Sequence, residues 1–174
     1  MSERRSITDF GNILSSDFDE SIDVDSIEEV SEVYLKGGSS VIPVGSRHTM
    51  MGQTLSRTRA PLKRTGSDHI SVIGDVVTVS SHTKISDIDS KLSSLGLEVP
   101  TSPDHRDLTI GGVLSVGGYD PMSVRRGGLV DSVESLSAVD TSGKIIEGNL
   151  SEMLCAQDQA PQLQESICHR MILP

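Results

Sequence analysis

Ile27, Val30, Val33 and Tyr34 fall on one face of a helix, and the pattern stops at Gly37–Gly38. Asp25 and Glu28 stand ahead of it at capping-box spacing, with Asp in the Ser/Thr place. The apolar run that follows predicts a strand over 40–44, which delivers a glycine-containing loop at its carboxyl end. Residues 54 to 67 read as a polar connection with an arginine bias. "HISVIGDVVTVSS" predicts two short strands, 69–73 and 76–80, turning at Gly74–Asp75. Ile85, Ile88, Leu92 and Leu95 mark a second amphipathic helix, closed by Gly96. "LTIGGVLSVGGY" reads as β-rich and broken by paired glycines, where the main chain runs closely against something. "VDSVESLSAVDTSGKIIEG" predicts two antiparallel strands turning at Ser142–Gly143. The stretch 151 to 174 carries a helical pattern (Met153, Leu154, Leu163, Ile167) interrupted by Pro161, with no further element.

This order predicts an α+β fold in which an αβ unit precedes a β-rich lobe containing one helix. The expected divisions are an N-terminal lobe over 1–58, a β-rich lobe over 59–150 and a helical tail over 151–174. The lobes are expected to meet between loop 45–53 and segment 104–119.

Composition narrows the function classes. The 174 residues hold 25 acids against 15 bases, a formal charge of −10, which argues against a general nucleic-acid binder. The charge is uneven: residues 17 to 32 hold eight acids and no base, whereas 47 to 67 hold Arg47, Arg57, Arg59, Lys63 and Arg64 and no acid. The acidic block reads as a solvated face, and the basic block suits an anionic ligand. There is no apolar run for a membrane span and no apolar core behind the N-terminal arginines, so a cytoplasmic protein is expected. Cys155 and Cys168 make no disulfide framework. Trp is absent and Phe and Tyr number two each, so the core must be aliphatic.

Several chemistries lack their residues. "GGVLSVGG" is followed by no Lys-Ser/Thr and lacks dinucleotide-fingerprint spacing. A bulged strand pair explains it, as does a backbone surface offering N–H groups to a pyrophosphate. His69, His82 and His105 lack metal-ligand spacing, and Cys168–His169 is too sparse for zinc. No G-x-S-x-G occurs. Alone, His48 reads as a surface or core histidine and Asp104 as a turn or cap residue.

Four segments taken together say more: "ITDFGNI" at 7–13, "PVGSRHTMMGQTL" at 43–55, "PDHRDLTIGGVLSVGGY" at 103–119 and "RRGGLVDSVESLSAVDTSGKII" at 125–146. In order and spacing they resemble the PCMH-type FAD-binding domain of the vanillyl-alcohol-oxidase flavoenzymes, most closely the cytokinin dehydrogenases, over about residues 7 to 150. The resemblance implies two α/β lobes with FAD between them. His48 falls on the family's covalent flavin-linking histidine. Pro43, Gly45, Ser46, Arg47, Thr49 and Gln53 fall on the loop that wraps the pyrophosphate, with Arg47 standing where the family usually has glycine. Thr109, Gly111, Gly112, Ser115 and Tyr119 match positions lining the diphosphate and isoalloxazine. Asp104 matches an aspartate that accepts a proton from the substrate amine while hydride passes to flavin N5.

In the family a "GGLGQFGVIT"-like strand leads on into a substrate domain. Residues 151 to 174 show no such pattern, so the resemblance implies a substrate side supplied by a partner chain, a homodimer mate or an open site. Three functions stay open: an FAD-dependent oxidoreductase module acting on an amine or alcohol, an FAD-retaining scaffold or cyclase-like protein, and a flavin-free interaction module.

Overall fold

The computed structural model describes residues 5–18, 20–37, 40–49, 51–66 and 68–149, and the backbone of 165–172. The chain is α+β, built around three sheets. Strands β1 (Arg5–Thr8) and β2 (Ser15–Phe18) form an antiparallel hairpin. β3 (Ile22–Val24), β4 (Val41–Pro43) and β5 (Ala60–Arg64) form a parallel sheet with β5 in the centre. The third sheet is antiparallel, ordered β6-β7-β10-β8-β9. It comprises β6 (Ile70–Ile73), β7 (Val76–Ser80), β8 (Val133–Val139), β9 (Ile145–Gly148) and β10 (Glu165–Ile172).

Helix α1 (Ile27–Gly37) joins β3 to β4, the crossover that two parallel strands of one sheet require. Its reciprocal cap sits one residue later than expected: Ser26 Oγ accepts the Glu29 N–H (3.1 Å) and Glu29 Oε2 accepts the Asp25 N–H (2.7 Å). Val30 and Tyr34 are buried against Val24, Val41 and Leu62, with Ile27 and Val33 packed beside them. Burying each such side chain contributes on the order of 2 kcal/mol. Gly38 lies outside the described residues.

Helix α2 (Ile85–Ser93) buries Ile85, Ile88 and Leu92 against the antiparallel sheet and ends in a turn at Gly96, φ 74°. Leu95, expected on the same face, falls beyond the helix and is 52% exposed. Short helices α3 (Ile110–Leu114) and α4 (Ser123–Arg126) and a 3-10 turn (Leu129–Ser132) complete this lobe. The β6–β7 and β8–β9 hairpins form as expected. At the second turn the Asp140 carboxylate accepts the N–H groups of Ser142 (2.8 Å) and Lys144 (3.0 Å).

Four expectations need correction. The polar connection over 54–67 contains β5, so the first sheet extends beyond the boundary drawn at residue 58. Segment 110–114 is helical rather than β, because Ile110 and Gly111 donate to the carbonyls of Thr83 (2.9 Å) and Ser81 (2.8 Å) and Val113 then bonds back to Thr109 (3.0 Å). Ile167, read as part of a helical pattern, lies in β10. The further element not expected there is this strand, paired antiparallel with β7 and β8. The remainder of that pattern, Met153, Leu154 and Leu163, lies outside the described residues.

The two lobes share a seam. Val139 of β8 belongs to the cluster beneath α1, and Ser31 Oγ of α1 donates to the Gly143 carbonyl (2.5 Å). Among the described residues no helix is long and apolar enough to cross a membrane.

Candidate functional site

Because β3, β4 and β5 run parallel, their carboxyl ends open on one side of the sheet, the side where open parallel sheets take ligands. Val44 extends the β4–β5 pairing by one bond, donating to the Leu62 carbonyl (2.9 Å). The chain then leaves through Gly45–His48, crossing Thr109 at the start of α3. A Cβ at Gly45 would run into Thr109 Oγ1, so the crossing admits no side chain. Gly111 sits as tightly on the loop after β7, where a Cβ would lie 3.0 Å from the Ser81 carbonyl oxygen.

Between these pieces lies a cleft of about 1100 Å³, lined by loop 44–48, Lys63 to Gly66, Asp68, His82, Lys84 and Thr109, among others. A recess of about 100 Å³ adjoins it, lined by Pro43, Gly45, Arg64, Ser81, His82, Thr109, Gly111, Gly112 and Ser115. The N–H groups of Gly45, Ser46, Arg47 and His48 donate no hydrogen bond among the described residues. Buried side-chain atoms without a hydrogen-bond partner gather in the same region: Ser46 Oγ, His48 Nδ1, Arg64 Nε and Nη1, both ring nitrogens of His82, and Thr83 Oγ1. Buried polar groups left unpaired are costly, and a cluster of them beside a cleft calls for a polar ligand. Consecutive free amides in a turn make a nest for an anion. The donor set therefore fits a diphosphate.

A second cluster stands at the edge of the cleft. His48 Nε2 lies 3.4 Å from His105 Nε2, and the two rings are 4.2 Å apart between centroids. Phe10 packs on His48 at 4.8 Å and meets His105 edge-on at 5.8 Å. Burial first, and then His105 and Lys84, hold His48 below the ordinary histidine pKa, with Asp107 pulling the other way. Burial and then Arg64 likewise lower His82 against the opposing pull of Asp68.

Of the residues expected from sequence, Gly45, Ser46, Arg47, His48 and Thr109 line the cleft, and Pro43, Gly111, Gly112 and Ser115 line the recess. Four do not line either. Thr49 braces the loop, its carbonyl accepting the Phe10 N–H (3.1 Å), and Gln53 Oε1 accepts the Met51 N–H (3.2 Å). Tyr119 is 66% exposed and packs over Gly117 and Gly128. Asp104 is exposed beside His105, with no hydrogen bond or ion pair among the described residues. His82, Thr83, Lys84 and His105 were not expected here, and nothing local in their sequence signals it. Arg64 belongs to the basic block that suits an anion, which was the available signal.

A family model described as an FAD binding domain matches residues 22–149. No curated protein matches the chain.

Proposed function

The chain belongs to the FAD binding domain family, and on that premise we propose that it is the FAD-binding module of a flavin-dependent oxidoreductase that takes hydride from an amine or alcohol. One observation carries the reading: Gly45–His48, whose amides donate no hydrogen bond among the described residues, line one cleft together with the unpartnered Ser46 hydroxyl. Those residues, with Thr109, Gly111 and Gly112, would hold the diphosphate. When bound, the flavin ring supplies a hydride acceptor at N5.

His48 is the residue that would hold the flavin at its 8α carbon, a linkage that costs the imidazole N–H and the methyl group one hydrogen each, with dioxygen as the two-electron acceptor. Its lowered pKa keeps the imidazole neutral near pH 7, so a ring nitrogen retains its lone pair. Asp104 is proposed as the base that takes a proton from the substrate, and its neighbour His105 touches His48. The substrate side is assigned to a partner chain or a second copy. The exposed apolar residues Phe10, Ile13, Leu14 and Met51 support that assignment, Phe10 lying directly on His48.

The purified protein, reconstituted with FAD, should show flavin absorbance that survives gel filtration and stays with the pellet after acid precipitation. Colour leaving wholly with the supernatant removes the covalent role of His48. A protein that refuses FAD overturns the function. In the reconstituted protein, mixed with the partner where one is needed, Asp104→Asn should abolish anaerobic bleaching by the substrate amine or alcohol while FAD stays bound. Undiminished bleaching would remove Asp104 as base.

A further inference from the structure

Four cations in the described residues meet a carboxylate: Lys36 with Glu32 at 2.8 Å, Lys84 with Asp107 at 3.3 Å, Arg126 with Glu98 at 3.4 Å, and Arg106 with Asp89. Arg64 has no such partner, although its Nε and Nη1 are buried. A guanidinium cannot shed its proton to relieve that burial, and water does not reach these two nitrogens. His82 beside it has both ring nitrogens buried without a well-aligned hydrogen bond, although the Gly66 main chain and Asp68 both draw on the ring. Asp68 Oδ1 approaches His82 Nε2 at 3.2 Å, but the contact is not aligned as a hydrogen bond. Arg64 and His82 both line the cleft and its recess, together with Gly45 and Thr109.

We infer that Arg64 and His82 form a phosphate subsite that anchors the diphosphate of the dinucleotide by charge, beyond what the backbone amides of the loop supply. The inference rests on the FAD-binding reading. The chemistry suits the residues: the planar guanidinium fork presents paired N–H donors to two phosphate oxygens, and a neutral imidazole adds one donor. Arg64 sits on the last residue of the central strand β5, a rigid mount, and His82 lies in the short turn between β7 and α2. This pair makes affinity depend on the phosphates as well as on the flavin ring.

The test compares FAD with riboflavin, which lacks phosphate, by fluorescence titration of the full chain and of Arg64→Gln. Arg64→Gln should weaken FAD about 10- to 100-fold, the loss expected when a charge-assisted bond to a buried partner is removed, and leave riboflavin within about twofold. Arg64→Lys should recover part of the loss, and the affinity for FAD should fall less steeply with salt in Arg64→Gln than in the unaltered chain. FAD binding within about twofold of the unaltered chain, or an equal loss for riboflavin, overturns the subsite. If Arg64→Gln does not fold by circular dichroism, Arg64→Lys and His82→Gln carry the same comparison, and undiminished FAD affinity in both overturns it. Inorganic pyrophosphate separates this inference from the flavin reading. It should raise the melting temperature of the unaltered chain and not of the Arg64 variant, even if no flavin binds. No shift in the unaltered chain overturns the subsite. A pyrophosphate shift without FAD binding overturns the flavin reading alone.

Discussion

Arg47 holds a left-handed backbone, φ 59°, within the loop that rims the cleft. A side chain there costs about 1 kcal/mol, which glycine avoids. Arg47→Gly should therefore raise stability in urea denaturation by up to about 1 kcal/mol, the gain being trimmed by the freer unfolded chain. Gly45 is constrained by space instead. Gly45→Ala should destabilise by about 1–3 kcal/mol, because the new methyl displaces Thr109. Thr109→Ala removes the obstructing hydroxyl, so the double variant should be less destabilised than the sum of the two singles. Strict additivity would refute the contact. The two lowered histidines predict a pH dependence. Both fold with pKa values below the ordinary 6.5 or so, so as pH falls through that value the unfolded chain takes up protons first and stability is lost. Their contribution is fully present above about pH 7. The urea midpoint should drop between about pH 7.5 and pH 5.5, and the pair His48→Gln with His82→Gln should flatten that drop. Asp140, lowered by hydrogen bonds from Ser142 and Lys144 that outweigh its burial, acts only in a separate window below the ordinary carboxylate range.

At the scale of elements, β5 is the test of how the first sheet is built. Leu62 is fully buried at its centre, between β3 and β4. Leu62→Ala should cost about 2–5 kcal/mol in chemical denaturation. A loss under about 1 kcal/mol would mean that β5 is not the core of that sheet. This strand was hidden in the sequence, because Arg57, Arg59, Lys63 and Arg64 surround only two apolar side chains and Pro61 breaks the pattern. By contrast α1, α2 and the two hairpins were legible, since each buries a regular stripe and ends at a glycine or an Asp-centred turn. The helix at 110–114 was not, because glycines and β-branched residues favour extended chain and tertiary hydrogen bonds to Ser81 and Thr83 decide otherwise. Loop 45–48 and Thr109 could be named because they lie in recognisable segments. Arg64 was legible only as one of five bases in a block that suits an anion, and His82 and the pairing of His105 with His48 not at all, because no local pattern ties those side chains to the loop.

The whole molecule places its site at a seam. A parallel sheet and an antiparallel sheet are held together by α1 against β8 and β9, through Val139 and the Ser31–Gly143 bond. The cleft draws on the ends of β4 and β5, the turn after β7 and the start of α3, so a ligand there touches both lobes and should tighten both. Hydrogen–deuterium exchange of the full chain with and without FAD reads this most directly. Exchange should slow at 44–48, 64–66, 81–84 and 109–112 when FAD is added, with the hairpin turns at 74–75 and 141–143 unchanged. FAD binding that leaves those four segments unprotected, or no protection anywhere, would contradict this placement.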